Sequence, residues 1–199
     1  MNGYRSEFRG TTTCDKLIGG LKATDPTSWE NFARVYSPLV YAWCRRSQLS
    51  EHDAADVVQE VFRSVYRGMT QFQRHQSGSF RGWLRTITTN KIRDHHRQSL
   101  RIGLPKGGSS AATRLLRIPD LIATDSQARE SEDLELVTRT ALQVAESEVE
   151  PRTWQAFSRV VMDGQAAVLV AEQMGMSVGA VYTLKSRILR RIRELIDAG

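Results

Sequence analysis

Apolar residues return every three or four positions along most of this chain, the spacing that gathers them on one face of an α-helix. The clearest stripe is Ala54, Val57, Val58, Val61, Phe62, Val65 and Met69. Ser50, Glu51 and Asp53 suit its first turn, where oxygens meet unpaired N–H groups, and Gly68 marks its end. The opposite face carries Asp56, Gln59, Glu60 and Arg63. An earlier stripe of Trp29, Phe32, Ala33, Tyr36, Leu39, Val40 and Trp43 predicts a helix after Pro26. Thr27 or Ser28 is its expected cap, and Pro38, which lacks an N–H, should kink or split it. A third helix starts at Phe80, with Trp83, Leu84, Ile87 and Ile92 inward. Its outer face shows Arg81, Arg85, Thr89, Asn90, Arg93, His96 and Arg97.

Between the second and third stripes, residues 71–79 read as a polar loop. After the third, Gly103, Pro105, Gly107, Gly108 and Pro119 break any period, which predicts a flexible linker. Leu134, Val137, Ala141, Leu142 and Val144 then predict a helix with an acidic outer face. Pro151 opens another, with Trp154, Phe157, Val160 and Val161 inward, closing at Asp163 and Gly164. No segment alternates as a strand would. The expected fold is therefore all-α: a loose segment over 1–26, a helical domain over 27–98, a linker over 99–132 and a second helical domain over 133–199.

Residues 167–186 fit a helix-turn-helix at its constrained positions. Ala171 is small where the two helices approach, and Gly175 stands at a turn that needs positive φ. Met176 is an apolar turn residue, Ser177 can cap the second helix, and Val181 and Leu184 return to the core. A helix of this kind fits the major groove of DNA and offers its N-terminal exposed residues to base edges. Here those residues are Val178, Gly179, Tyr182, Thr183 and Ser186, with Lys185 and Arg187 in reach of phosphates.

Charge supports a polyanionic partner. Lys plus Arg number 28 against 22 Asp plus Glu, a net charge of +6, which favours nucleic acid. The distribution says more than the total. Phe80 to Arg117 is basic, with Asp94 its single acid; Ile118 to Glu150 is acidic; and Arg187, Arg190, Arg191 and Arg193 make the end of the chain basic again. Two separate positive surfaces suit a protein that touches a polyanion twice. No apolar run approaches the roughly 18 residues of a membrane span, and residues 1–20 lack the character of a secretory signal. With only Cys14 and Cys44 present, neither a disulfide framework nor a cysteine zinc site is expected, and a cytoplasmic location is.

Together these pieces resemble a sigma-70 family RNA polymerase sigma factor of the small extracytoplasmic-function group. The residues that carry the resemblance are Asp53-Ala-Ala-Asp-Val-Val-Gln-Glu-Val-Phe62, Phe80-Arg-Gly-Trp-Leu84, Asn90-Lys-Ile-Arg-Asp-His95 and the helix-turn-helix. Their order matches the family's region 2, a linker and region 4, over residues 27–98 and 133–196. The resemblance implies a promoter-recognition subunit whose partners are core RNA polymerase, promoter DNA and, in many relatives, an inhibitory anti-sigma factor. It implies that Asp53, Asp56, Gln59, Glu60 and Arg63 dock on the β′ coiled coil, while region 4 meets the β flap. It implies that Arg81, Arg85, Thr89, Asn90, Lys91, Arg93 and Arg97 read and melt the −10 element, with Phe72 to Ser79 forming a pocket for an extruded base. Trp83, on the apolar stripe, is expected in the core. The −35 element falls to Ser177, Val178, Gly179, Tyr182, Thr183, Lys185, Ser186, Arg187 and Arg190. One departure stands out. The family's commonest pattern sets Lys-Ser-Arg directly after the valine matching Val181, whereas here Tyr182-Thr183-Leu184 intervene before Lys185-Ser186-Arg187.

Other functions find less support. Asp94-His95-His96 resembles the short signature of a metal-binding phosphoesterase, but such a site needs further Asp and His ligands on strand ends, and no strands are predicted. No Walker-type phosphate loop occurs, and Cys44 lies beside an apolar stripe, where burial is expected. The chain is thus read as a binding protein without catalytic residues, metal or cofactor. The alternative is a stand-alone helix-turn-helix transcriptional regulator.

Overall fold

The computed structural model describes residues 14–73, 79–103 and 127–196. All regular structure among them is helical. Helices run over Cys14–Lys22 (α1), Pro26–Arg46 (α2), Glu51–Gly68 (α3), Phe80–Gly103 (α4), Gln127–Ser147 (α5), Pro151–Val161 (α6), Ala167–Met174 (α7) and Val178–Leu195 (α8), with one 3-10 turn at Met69–Gln71.

Helix α2 is the central strut. It packs against α1, α3, α4 and α5. Phe32, Val35, Tyr36, Leu39, Val40, Trp43 and Cys44 form its buried face. Helix α3 adds Ala54, Val57, Val61 and Val65, as its stripe predicts. Ser50 caps α3 by accepting the Asp53 N–H at 3.1 Å. Aromatic rings bind the helices together: Phe32 and Phe62 lie 4.8 Å apart between centroids, and Phe32 meets Phe80 edge-on at 5.7 Å. Trp83 packs on Phe72 at 4.8 Å.

Several local expectations need correction. The cap of α2 is Asp25, not Thr27 or Ser28, because Pro26 takes the first helical position, where its missing N–H costs nothing. The Asp25 carboxylate accepts from Ser28 N at 2.8 Å and Ser28 Oγ at 2.6 Å, and the Ser28 hydroxyl chiefly holds its pKa below the usual carboxylate value. Helix α2 runs unbroken across Pro38; packing on the surrounding helices holds the turn that loses its hydrogen bond. The segment expected to be loose contains α1, whose Leu17, Ile18 and Leu21 are buried. Gly20 permits this docking, since any Cβ there would collide with the Ser28 side chain. Helix α4 continues past residue 98 to Gly103, and α5 begins at Gln127, ahead of the expected linker end. Phe72 is buried against Phe80 and Trp83, so it serves the core rather than a base pocket. Residues 74–78 of that expected pocket lie outside the described residues.

The C-terminal helices do not stand apart. Helix α5 lies along α2, and α8 touches α1 and α2. Val137, Ala141, Val144 and Ala145 of α5 share one core with the N-terminal helices and with Ile188, Leu189, Ile192 and Leu195 of α8. Ala167, Ala171 and Val181 form a small cluster of their own inside the helix-turn-helix. The chain bends by 110° between α7 and α8, within the roughly 90–120° of such units. Gly175 supplies the left-handed turn at φ 61°, and Met176 N–H donates to the Ala171 carbonyl at 2.8 Å. Ser177 Oγ caps α8 by accepting the Ala180 N–H at 3.1 Å. Arg152 of α6 donates to the Met174 carbonyl, closing the end of α7.

Candidate functional site

The polar face of α3 is open. Asp56, Gln59, Glu60 and Arg63 are exposed, because the alternate face of the same helix is spent on the core. Arg63 pairs with Glu60 one turn earlier, and His52 lies 3.6 Å from Asp56. Asp53 differs from its neighbours. Its carboxylate accepts the Ser50 hydroxyl at 2.7 Å and lies 3.2 Å from His95 Nε2 of α4. The Ser50 hydrogen bond, with a smaller contribution from His95, holds the Asp53 carboxyl below its ordinary pKa. Asp53 thus ties α3 to α4 at the border of the acidic face.

Helix α4 carries the candidate basic face. Asn90 and Arg97 are exposed, and Arg81, Thr89, Lys91 and Arg93 are half-buried. Thr89 Oγ1 donates to the Arg85 carbonyl at 2.9 Å, which turns its hydroxyl inward to the helix. Arg97 lies 3.7 Å from Asp94. Among the described residues, Arg81 Nη1 is shielded from solvent with no hydrogen-bond partner.

Arg85 stands elsewhere. Its Nη2 donates to Asp133 Oδ2 at 2.7 Å, and its guanidinium lies over the Trp43 ring, 5.4 Å from the centroid. Trp43 Nε1 donates to the same oxygen at 2.8 Å, and Arg46 Nη1 donates to Asp133 Oδ1 at 2.7 Å. The Asp133 side chain is 3% exposed. Glu132 adds a second acid, 3.5 Å from Arg46 Nη2. Sequence reading missed this cluster. The available signal was spacing: Asp133 precedes buried Val137 and Ala141 by four and eight positions, so it shares their stripe.

On α8, Val178, Gly179, Tyr182, Thr183, Ser186, Arg187 and Arg190 are exposed, and Lys185 is half-buried. Tyr182 shows 57% of its surface, high for an aromatic side chain. Ser177 is exposed too, though its hydroxyl serves the cap. Thr183 Oγ1 donates to the Gly179 carbonyl at 2.9 Å. Arg191 points the other way: it makes two 2.6 Å bonds to Glu148 and a 3.3 Å bond to Asn31 Oδ1 of α2. That guanidinium chiefly, with burial opposing it, holds the Glu148 carboxyl below its usual pKa.

The Asp94-His95-His96 reading does not gather a site. Asp94 pairs with Arg97 and His95 with Asp53. Among the described residues no three metal-ligating side chains converge. Cys44 is fully buried, and burial pushes its thiol up to about 12.

Residues 32–102, spanning most of α2, all of α3 and all but the last residue of α4, match the family model described as Sigma-70 region 2. Over 194 residues the chain is 30% identical to the ECF RNA polymerase sigma factor SigE of Mycolicibacterium smegmatis. That alignment covers 96% of this chain and 68% of the relative.

Proposed function

The chain belongs to the sigma-70 family of RNA polymerase sigma factors, extracytoplasmic-function (ECF) group, and on that premise we propose how its surfaces divide the work of transcription initiation. A sigma factor works with core RNA polymerase on promoter DNA, and the comparisons favour no stand-alone regulator.

The acidic face of α3 is the polymerase dock, with Asp56, Gln59 and Glu60 at its centre and Asp53 and Arg63 at its edges. Its occupant is the β′ coiled coil. The observation that carries this reading is the exposure of all three central residues on a helix whose other face is wholly committed to the core. Helix α4 meets the −10 element through Arg81, Arg85, Thr89, Asn90, Lys91, Arg93 and Arg97. Helix α8 meets the −35 element through Ser177, Val178, Gly179, Tyr182, Thr183, Lys185, Ser186, Arg187 and Arg190, while the surrounding helices of residues 133–199 meet the β flap. Helices α2 to α4 and α5 to α8 act as the two working units, with α1 docked on α2 and α8. Each DNA contact alone is weak. Polymerase holds both units, so the second contact forms at high effective concentration.

The chain binds and carries out no chemistry of its own. Among the described residues no single helix is long and apolar enough to cross a membrane, and a cytoplasmic site of action follows from the partners. An anti-sigma factor is a further partner in this reading. The test is charge reversal on the dock. Full-length chain with Asp56→Arg and Glu60→Arg should no longer be retained by immobilised core polymerase, with helicity and melting unchanged. Retention equal to the wild-type chain contradicts the dock.

A further inference from the structure

We propose that Trp43, Arg46 and Arg85 form an anion-binding cradle, occupied in this closed form by Asp133, that takes a backbone phosphate of promoter DNA once α5 leaves α2. The inference rests on the reading of α4 as a DNA-binding face and extends it to two residues of α2.

The geometry is that of a built site. Three donors from two helices converge on one carboxylate at 2.7–2.8 Å. An indole N–H can only donate, and a guanidinium offers a planar fork that suits carboxylate and phosphate alike. The Arg85 guanidinium carbon lies 5.4 Å from the Trp43 ring centroid, a cation–π contact that does not involve the carboxylate. The acids that face the cradle, Asp133 and Glu132, both belong to α5, the first described helix after α4. Asp133 therefore mimics the ligand in cis. A buried ion pair returns little net free energy after desolvation, so the cost of opening lies chiefly in the apolar contact that Val137 and Ala141 of α5 make with the shared core, and DNA contacts along α4 must offset it. In the closed form, Arg85 is withheld from DNA.

The test uses the full chain and a fluorescein-labelled single-stranded DNA of mixed sequence, with anisotropy at low salt and small-angle scattering on the same samples. Asp133→Asn should enlarge the particle and tighten binding about tenfold, the gain that follows when the open form is roughly a tenth of the population. Adding Arg46→Ala and Arg85→Ala should remove that gain. Glu132→Gln, on an exposed side chain, is a milder second variant and should shift affinity in the same direction. An enlarged particle with unchanged affinity overturns the proposal, as does a gain that survives loss of both arginines. If Asp133→Asn does not fold, no gain with Glu132→Gln also overturns it. Lys91→Ala with Arg93→Ala separates the two readings. Weaker binding in that variant, with no gain from the acid variants, removes the cradle and leaves the α4 face standing. No effect from either set removes both.

Discussion

Arg85 and Asp133, 48 positions apart in sequence, meet at 2.7 Å and join the N-terminal helices to α5. Both arginines at this junction keep some water contact, so truncating the shared acid should cost less than in a sealed core. Asp133→Ala should lower stability by about 2–3 kcal/mol. Urea unfolding of Asp133→Ala, Arg85→Ala and the double variant checks it. The double variant should lose less than the two singles combined, because each single already breaks the same contact.

Gly175 turns α7 into α8 at φ 61°. A Cβ there would meet only Arg152 Nη2, at 3.9 Å. The cost of Gly175→Ala is therefore backbone strain alone, about 1–2 kcal/mol. Thermal melting should show the loss.

Glu148 and Arg191 give the structure an acid-sensitive joint. The folded Glu148 carboxyl titrates below its ordinary value of 4.5. A lowered carboxyl contributes stability above that ordinary value and loses it as pH falls through the folded one. Stability of the wild-type chain should therefore drop as pH is lowered below about 4.5, and Glu148→Gln should reduce the steepness of that drop. Urea midpoints across this window test both statements.

Tyr182 and Val178 present apolar surface at the start of α8, where thymine methyl groups would lie in the major groove. Tyr182→Ala should leave melting unchanged, since the ring is exposed. It should cut initiation from a −35-dependent promoter roughly tenfold, the scale of one lost base contact. Equal output from both proteins would remove Tyr182 from the DNA face.

Much of this architecture is legible in the sequence because helices announce themselves by period. The α3 stripe, the Ser50 and Ser177 caps and the Gly175 turn are each fixed by residues within one or two turns. What escaped depends on distant partners. The acid Asp133 reads as one more charge in an acidic stretch until α2 and α4 surround it. Helix α1 is short, and its Leu17, Ile18 and Leu21 gain their helical state from packing on α2 and α8. Arg85 has the composition of a DNA contact and the position of an interface residue. Pro38 illustrates tertiary packing overriding a local rule.

The most direct measurement is run-off transcription with core RNA polymerase, the full-length chain and a library of promoter fragments. Transcripts from defined start sites are expected only when both proteins are present, with shared −10 and −35 sequences among the active fragments. Absence of start-specific transcripts, together with tight binding of the free chain to duplex DNA at low salt, would contradict this expectation.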